Sequence, residues 1–169
     1  MSESDQNEYS QIVPPAPAGT VVGEWVCYEK TAKKRASPAT KAWWSNNPGN
    51  LVKSADYPNK IGDDGTWAIF ATYEDGAEAV LLKVAYHERQ GQTLRQMGDI
   101  WCEGCNYGAT IARLMNEDDD NEFTVTADTK LSDVLLRKVA DAIIRQEGGR
   151  EGVELDRSDS SLPARVRFP

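Results

Sequence analysis

The 169-residue chain has a single histidine, His87, and only three residues each of phenylalanine, methionine and cysteine. One imidazole and so few thiols cannot assemble a histidine-rich zinc site, which needs four soft or imidazole ligands. The cysteines are Cys27, Cys102 and Cys105, and an odd count excludes a fully paired disulfide framework within one chain. No run approaches the ~18 apolar residues of a membrane-spanning helix, so no such span is expected. Basic residues are outnumbered, 19 against 27 acidic, giving a net charge of −8 and arguing against a duplex nucleic-acid binder, which needs a basic surface to displace counterions from phosphate. Met1 to Thr20 lacks the basic start and apolar run of a secretory leader. The expectation is a protein made in the cytoplasm that stays there or leaves by a route without a cleaved signal.

What is present fits an α+β, mainly helical domain. Hydrophobic residues make up 40% and charged residues 27%, ordinary proportions for a globular chain of about one domain. Residues 1–22 are polar and then rich in proline and alanine, and are read as a flexible arm. Residues 23–155 form the domain, and 156–169 a surface tail. Thr72 with Asp75, and Thr93 with Gln96, spell capping boxes that open helices over about 73–89 and 94–101. Further helices are expected over about 106–116 and 133–147, the last capped by Ser132 and closed by Gly148-Gly149. Leu51-Val52-Lys53 and Thr66 to Phe70 flank Asp63-Asp64-Gly65 and suggest a small hairpin. The acidic run Glu117 to Asp120 reads as a solvated loop, since it lacks the spaced ligands and glycine of a calcium loop.

Three constellations bear chemistry. Along the last helix the apolar stripe Leu136, Val139, Ala140 and Ile143 continues onto Glu147, a carboxylate where another apolar residue is expected. Partial desolvation and the negative end of the helix dipole both disfavour a charge there, which suits a general acid for protonating a glycosidic oxygen. A glutamate exposed in a frayed last turn is the simpler alternative. Second, Trp43-Trp44-Ser45-Asn46-Asn47-Pro48-Gly49-Asn50 offers flat apolar faces beside amide donors and acceptors, a combination suited to sugar rings. A tight turn whose asparagines bond their own backbone would read the same. Third, Cys102-Glu103-Gly104-Cys105 has C-x-x-C spacing, but no parallel-sheet pattern surrounds it, so a plain turn with buried thiols or a structural disulfide is favoured over redox chemistry.

Asn46-Asn47-Pro48-Gly49-Asn50-Leu51, then Trp67 to Ala79, Trp101 with Asn106, and Ala142-Ile143-Ile144-Arg145-Gln146-Glu147-Gly148-Gly149 together resemble lysozyme-like proteins encoded by phages and prophages. The segment around Asn47, Asn50 and Phe70 is also similar to peptidoglycan N-acetylglucosaminidases. The resemblance implies a lysozyme-like fold and a glycoside hydrolase cutting cell-wall glycan strands. It implies Glu147 as catalytic acid, with Trp44, Asn46, Asn47, Asn50, Asn106 and Tyr107 meeting substrate, and neither metal nor cofactor. Small signal-less enzymes of this kind occur as type VI secretion effectors, acting in a rival's periplasm and blocked by a dedicated immunity protein that would occlude the cleft. In lysozyme-like enzymes the catalytic glutamate precedes the asparagine-rich region, so the order here is read as circularly permuted. Glu29 and Glu74 are the weaker candidates for the acid; Asp63 and Asp64 are candidates for a base, which stays unassigned. The competing function is a non-catalytic virion or wall-binding module that keeps the cleft without turnover.

Overall fold

The computed structural model describes residues 13–53, 56–118 and 123–168. The chain is α+β. Strands β1 (Val21–Val22), β2 (Trp25–Cys27) and β3 (Thr31–Lys34) form an antiparallel meander, and the short helix α1 (Lys41–Trp44) follows. A two-stranded hairpin, β4 (Lys60–Asp63) and β5 (Ala68–Phe70), precedes helices α2 (Tyr73–Arg89), α3 (Leu94–Trp101), α4 (Tyr107–Asn116) and α5 (Leu136–Glu147). Strand β6 (Glu154–Asp156) returns to the edge of β3, so the larger sheet runs β1-β2-β3-β6.

The helices start where the side chains can satisfy their free backbone N–H groups. Thr72 and Thr93 accept from Asp75 N and Gln96 N, and both boxes are closed by the reciprocal side chain. Gly148, at φ 62°, ends α5 directly after Glu147. Apolar faces of α2 to α5 meet in one core, with Val80, Val84, Leu94, Met97, Ile111, Val139 and Ile143 fully buried. Helices α3 and α4 cross so closely that a Cβ on Gly98 would stand 2.3 Å from Gly108 N. That contact needs glycine on both helices, and it fixes Tyr107 at the start of α4.

Several expectations are corrected. Helix α5 begins at Leu136, with no side-chain cap; a 3-10 turn over Leu131–Asp133 occupies the place assigned to its first turn. The hairpin pairs 60–63 with 68–70, and Val52 contributes only an isolated bridge to Trp67. The four-stranded sheet was not expected at all. Of the expected arm, residues 1–12 lie outside the described residues; in the remainder Val13, Pro14, Pro17 and Ala18 are exposed, but Ala16 is buried and Val21–Val22 pairs with β2. The tail is packed too. Leu162 and Val166 join Ala16, Cys27 and Ala32 in a small second core. Arg157, 1% exposed, donates from Nε to Val166 O at 2.6 Å, from Nη1 to Tyr28 O at 3.0 Å and from Nη2 to Ala16 O at 2.5 Å. One guanidinium thereby ties both ends of the described chain to the sheet. In the acidic run, Asp119 and Asp120 lie outside the described residues, while Glu117 and Asp118 pair with Arg145.

Candidate active site

The asparagine turn is built before it can present anything. Asn46 and Asn50 both adopt left-handed backbone, φ 50° and 49°, a conformation asparagine tolerates better than most residues. Asn46 is buried: its Nδ2 donates to Phe70 O at 3.2 Å and Ala71 O at 3.1 Å, and its Oδ1 accepts from Lys33 Nζ at 2.7 Å. Asn47 is buried as well, donating to Leu51 O at 2.8 Å and Ala68 O at 3.0 Å and accepting from Leu51 N at 2.8 Å. Gly76 lets α2 press onto the turn, since a Cβ there would fall 1.9 Å from Asn46 O. Trp101 Nε1 donates to Gly49 O at 3.1 Å and steadies the far side.

Asn46 and Asn47 therefore spend their amides on protein carbonyls and have nothing left for a sugar, contrary to the expectation above. Trp44 is likewise withdrawn. It is 7% exposed, packs with Val26, Tyr28 and Ile69, and lies under the Arg35 guanidinium at 4.6 Å. Asn106 is exposed at the left-handed N-cap of α4, φ 52°, and does not line the cleft described next.

The other three expected residues come together. Glu147, half-buried at the end of α5, accepts from Asn50 Nδ2 on Oε2 and from Tyr107 Oη on Oε1, each at 2.5 Å. Asn50 and Glu147 are 97 positions apart in the chain. Tyr107 stacks parallel to Trp101, with ring centroids 6.3 Å apart. Burial raises the Tyr107 phenol above its ordinary range, and the hydrogen bond and charge of Glu147 raise it further. The phenol therefore keeps its proton at neutral pH and serves as a donor.

These groups open onto a cleft of about 320 Å³. Sequence reasoning missed several of its walls: Lys41, Trp67, Thr110 and Gln146 line it, and Trp101 lines it beyond the motif role expected of it. Trp67 and Trp101 supply the flat apolar surfaces that had been sought at Trp44. The only sequence signal for Trp67 is its place beside the Asp63-Asp64-Gly65 turn, and Gln146 is betrayed only by adjacency to Glu147. Cys102 and Cys105 lie at the rim and are joined as a disulfide, which decides between the two plain readings of that motif; neither cysteine is buried.

Among the described residues Glu147 is the one carboxylate lining this cleft. Asp63 accepts from Gly65 N at 3.0 Å, and Asp64 accepts from Thr66 N at 2.9 Å, Trp67 N at 2.7 Å and Arg35 at 3.4 Å. Both build the hairpin turn. Glu29 is exposed between β2 and β3, and Glu74 is exposed in the first turn of α2. No group of three or more histidine, cysteine or acidic residues that could hold a metal ion occurs among the described residues. A wider depression of about 500 Å³ beside α4 also holds a carboxylate, Glu117, but that group is ion-paired with Arg113 and Arg145, and among the described residues no aromatic side chain lines the depression. Aromatic walls around a carboxyl held by neutral donors, not size, single out the smaller cleft.

The sequence matches no family model and no curated protein, so the function rests on this geometry together with the motif resemblance.

Proposed function

We propose that this protein is a glycoside hydrolase acting on the glycan strands of bacterial peptidoglycan, with Glu147 as its general acid. The observation that carries this reading is the half-buried Glu147 carboxyl held between Asn50 and Tyr107 in a cleft walled by Trp67 and Trp101. Indole surface on the cleft wall suits a pyranose ring, and Thr110 and Gln146 supply polar groups for ring substituents.

The reaction needs one carboxyl. Glu147 in its acid form gives its proton to the glycosidic oxygen; the bond to the anomeric carbon breaks and its electron pair leaves with that oxygen. Positive charge develops on the anomeric carbon, where a 2-acetamido oxygen of the substrate can hold it, as in substrate-assisted glycosidases. Water then adds, losing a proton to the Glu147 carboxylate, and the acid is restored. Asn50 and Tyr107 keep the carboxyl aimed throughout, because each donates to a different oxygen. A lone carboxylate in the cleft is compatible with this single-acid route, which needs no separate base at Asp63 or Asp64.

The lysozyme-like assignment belongs to the same proposal. An acid ending a helix, facing an asparagine turn and a small hairpin, is the arrangement the motif resemblance implies, with the acid-bearing helix moved to the end of the chain order. Action in a rival's periplasm after type VI secretion, with an immunity protein occluding the cleft, is proposed on that resemblance.

Replacement E147Q preserves shape and removes the transferable proton. Release of reducing ends from purified peptidoglycan is expected to fall by about a thousandfold or more, with Tm nearly unchanged. Undiminished release by E147Q would overturn the assignment. A second reading, a wall-binding module without turnover, draws support from the protein donors that already engage both Glu147 oxygens. Wild-type protein that binds strands but releases no fragments would establish it.

A further inference from the structure

Lys41 is the one basic side chain lining the cleft, in a protein whose net charge is −8. Its ammonium lies 3.3 Å from the centre of the Trp67 ring. Among the described residues no carboxylate stands within ion-pair distance of it. Glu147 and Asp64 act on it only through space, and they oppose the desolvation that lowers its basicity. A cleft built for a neutral glycan gains nothing from a half-buried ammonium, whose partial dehydration costs free energy. A hydrocarbon side chain would cover Trp67 as well. The feature that needs explaining is therefore a desolvated cation, stacked on a sugar-sized aromatic wall, with its outer N–H donors unpaired in the same cavity as the catalytic acid.

We infer that Lys41 and Trp67 form a subsite for a carboxylate carried by the amino sugar, so that the cleft selects acidic strands over neutral ones of the same backbone. The inference rests on the glycan-strand reading above and deepens it. The ammonium covers the centre of the Trp67 ring, so the sugar packs beside it along the cleft wall, and its carboxylate meets the N–H donors that point away from the indole, where an ion pair adds to the cation–π contact. Lys41 is thus a specificity-determining residue and takes no part in proton transfer. Two sources offer this chemistry: a lactyl ether carboxylate on the sugar itself, or a carboxylate of the stem peptide attached through it.

The test measures binding by tryptophan fluorescence to E147Q, with and without K41M, at low salt. Three ligands share one backbone length: a neutral N-acetylglucosamine oligomer, a peptide-free wall oligomer with free lactyl carboxylates, and the same oligomer methyl-esterified. A fourth carries stem peptides. An acid-bearing ligand is expected to bind about tenfold more tightly than the neutral and esterified ones, which is about 1.4 kcal/mol. K41M should bring all ligands within about twofold of one another, while K41R should retain most of the preference. Preference for the free lactyl oligomer identifies the sugar's own carboxylate, and preference for the stem-peptide form alone identifies the peptide. In protein with Glu147 intact, K41M should raise KM for the acidic strand and leave kcat within about twofold. Equal binding of the neutral, esterified, free-lactyl and stem-peptide oligomers by the parent protein overturns the inference and leaves the glycan reading standing. Failure to bind any oligomer overturns both.

Discussion

The helical half and the sheet half of this molecule are held together by different physics. Helices α2 to α5 bury a continuous apolar core in which few polar groups take part. The sheet packs only two small clusters, one of Ala16, Cys27, Ala32, Leu162 and Val166 and one of Val26, Tyr28, Trp44 and Ile69, and depends on buried charge as well. Arg157 spans three backbone carbonyls, and Lys33, 9% exposed, reaches Asn46 and the Trp43 carbonyl at 3.2 Å while lying over the Tyr28 and Trp43 rings. Desolvation lowers the Lys33 ammonium's basicity, against the opposing charges of Glu154 and Glu151. The cleft lies where the halves meet: Tyr107 and Glu147 come from the helices, and Asn50 from a turn that the sheet braces through Lys33 and Asn46. An apolar core tolerates losing a few contacts, whereas a polar clamp leaves orphaned carbonyls when its donor is removed.

The largest expected effect therefore falls on the smaller half. R157A leaves the carbonyls of Ala16, Tyr28 and Val166 buried without their donor and should cost about 3–5 kcal/mol, comparable to breaking a buried ion pair. Hydrogen exchange should show early loss of protection in residues 16–34 and 154–166 while α2 to α5 stay protected. Equal deprotection of both halves would mean that they unfold as one unit and that the contrast has no energetic content.

The same contrast explains what could be read from the sequence. Helix periodicity is local, so Val80, Val84, Val139 and Ile143 announce their buried face, and Thr72 and Thr93 announce their caps within four residues. Glu147 is legible because it breaks a pattern that its own neighbours set. The larger sheet is not, because its strands span two to four residues, too few for alternation, and β3 finds its partner β6 more than a hundred positions away. The asparagine turn was half legible. Its composition signals polar chemistry, but whether an amide faces a ligand or a carbonyl depends on which distant backbone lies beneath it. Phe70 and Ala68 claim Asn46 and Asn47, and Glu147 claims Asn50. Trp44 loses its expected role for the same reason: it is covered by Arg35 and packed against Tyr28, and Trp67, to which no role was assigned, is left on the cleft wall.

A smaller effect tests the seam. The Cys102–Cys105 disulfide closes a short loop between Trp101 and Tyr107, and the chain-entropy relation for so short a loop gives about 2 kcal/mol. C102S should lower Tm accordingly and reduce activity only in part, because the close Gly98–Gly108 contact still orients α4. Reductant added to wild-type protein should reproduce the change. Abolished activity in a folded C102S protein would instead assign chemistry to the thiols.

The smallest effect is a tilt in the stability–pH curve, and it belongs to the helical half. His87, at the end of α2, is 2% exposed; its Nδ1 pairs with Gln92 Oε1 at 2.7 Å and its Nε2 has no partner. Burial holds the imidazole below its ordinary value of about 6.5, the Gln92 bond opposes this, and the charge of Lys83 adds to it. Between the folded and unfolded values the unfolded chain binds more protons, so stability rises with pH there and is lost as pH falls from about 6.5 toward the folded value. Below the folded value both states are protonated and the slope vanishes. H87Q should flatten the Tm curve between about pH 7.5 and 5 relative to wild type, and parallel curves would refute the assignment. Because the imidazole is carried by α2 itself, acid should loosen exchange in the helices first, reversing the order expected for R157A.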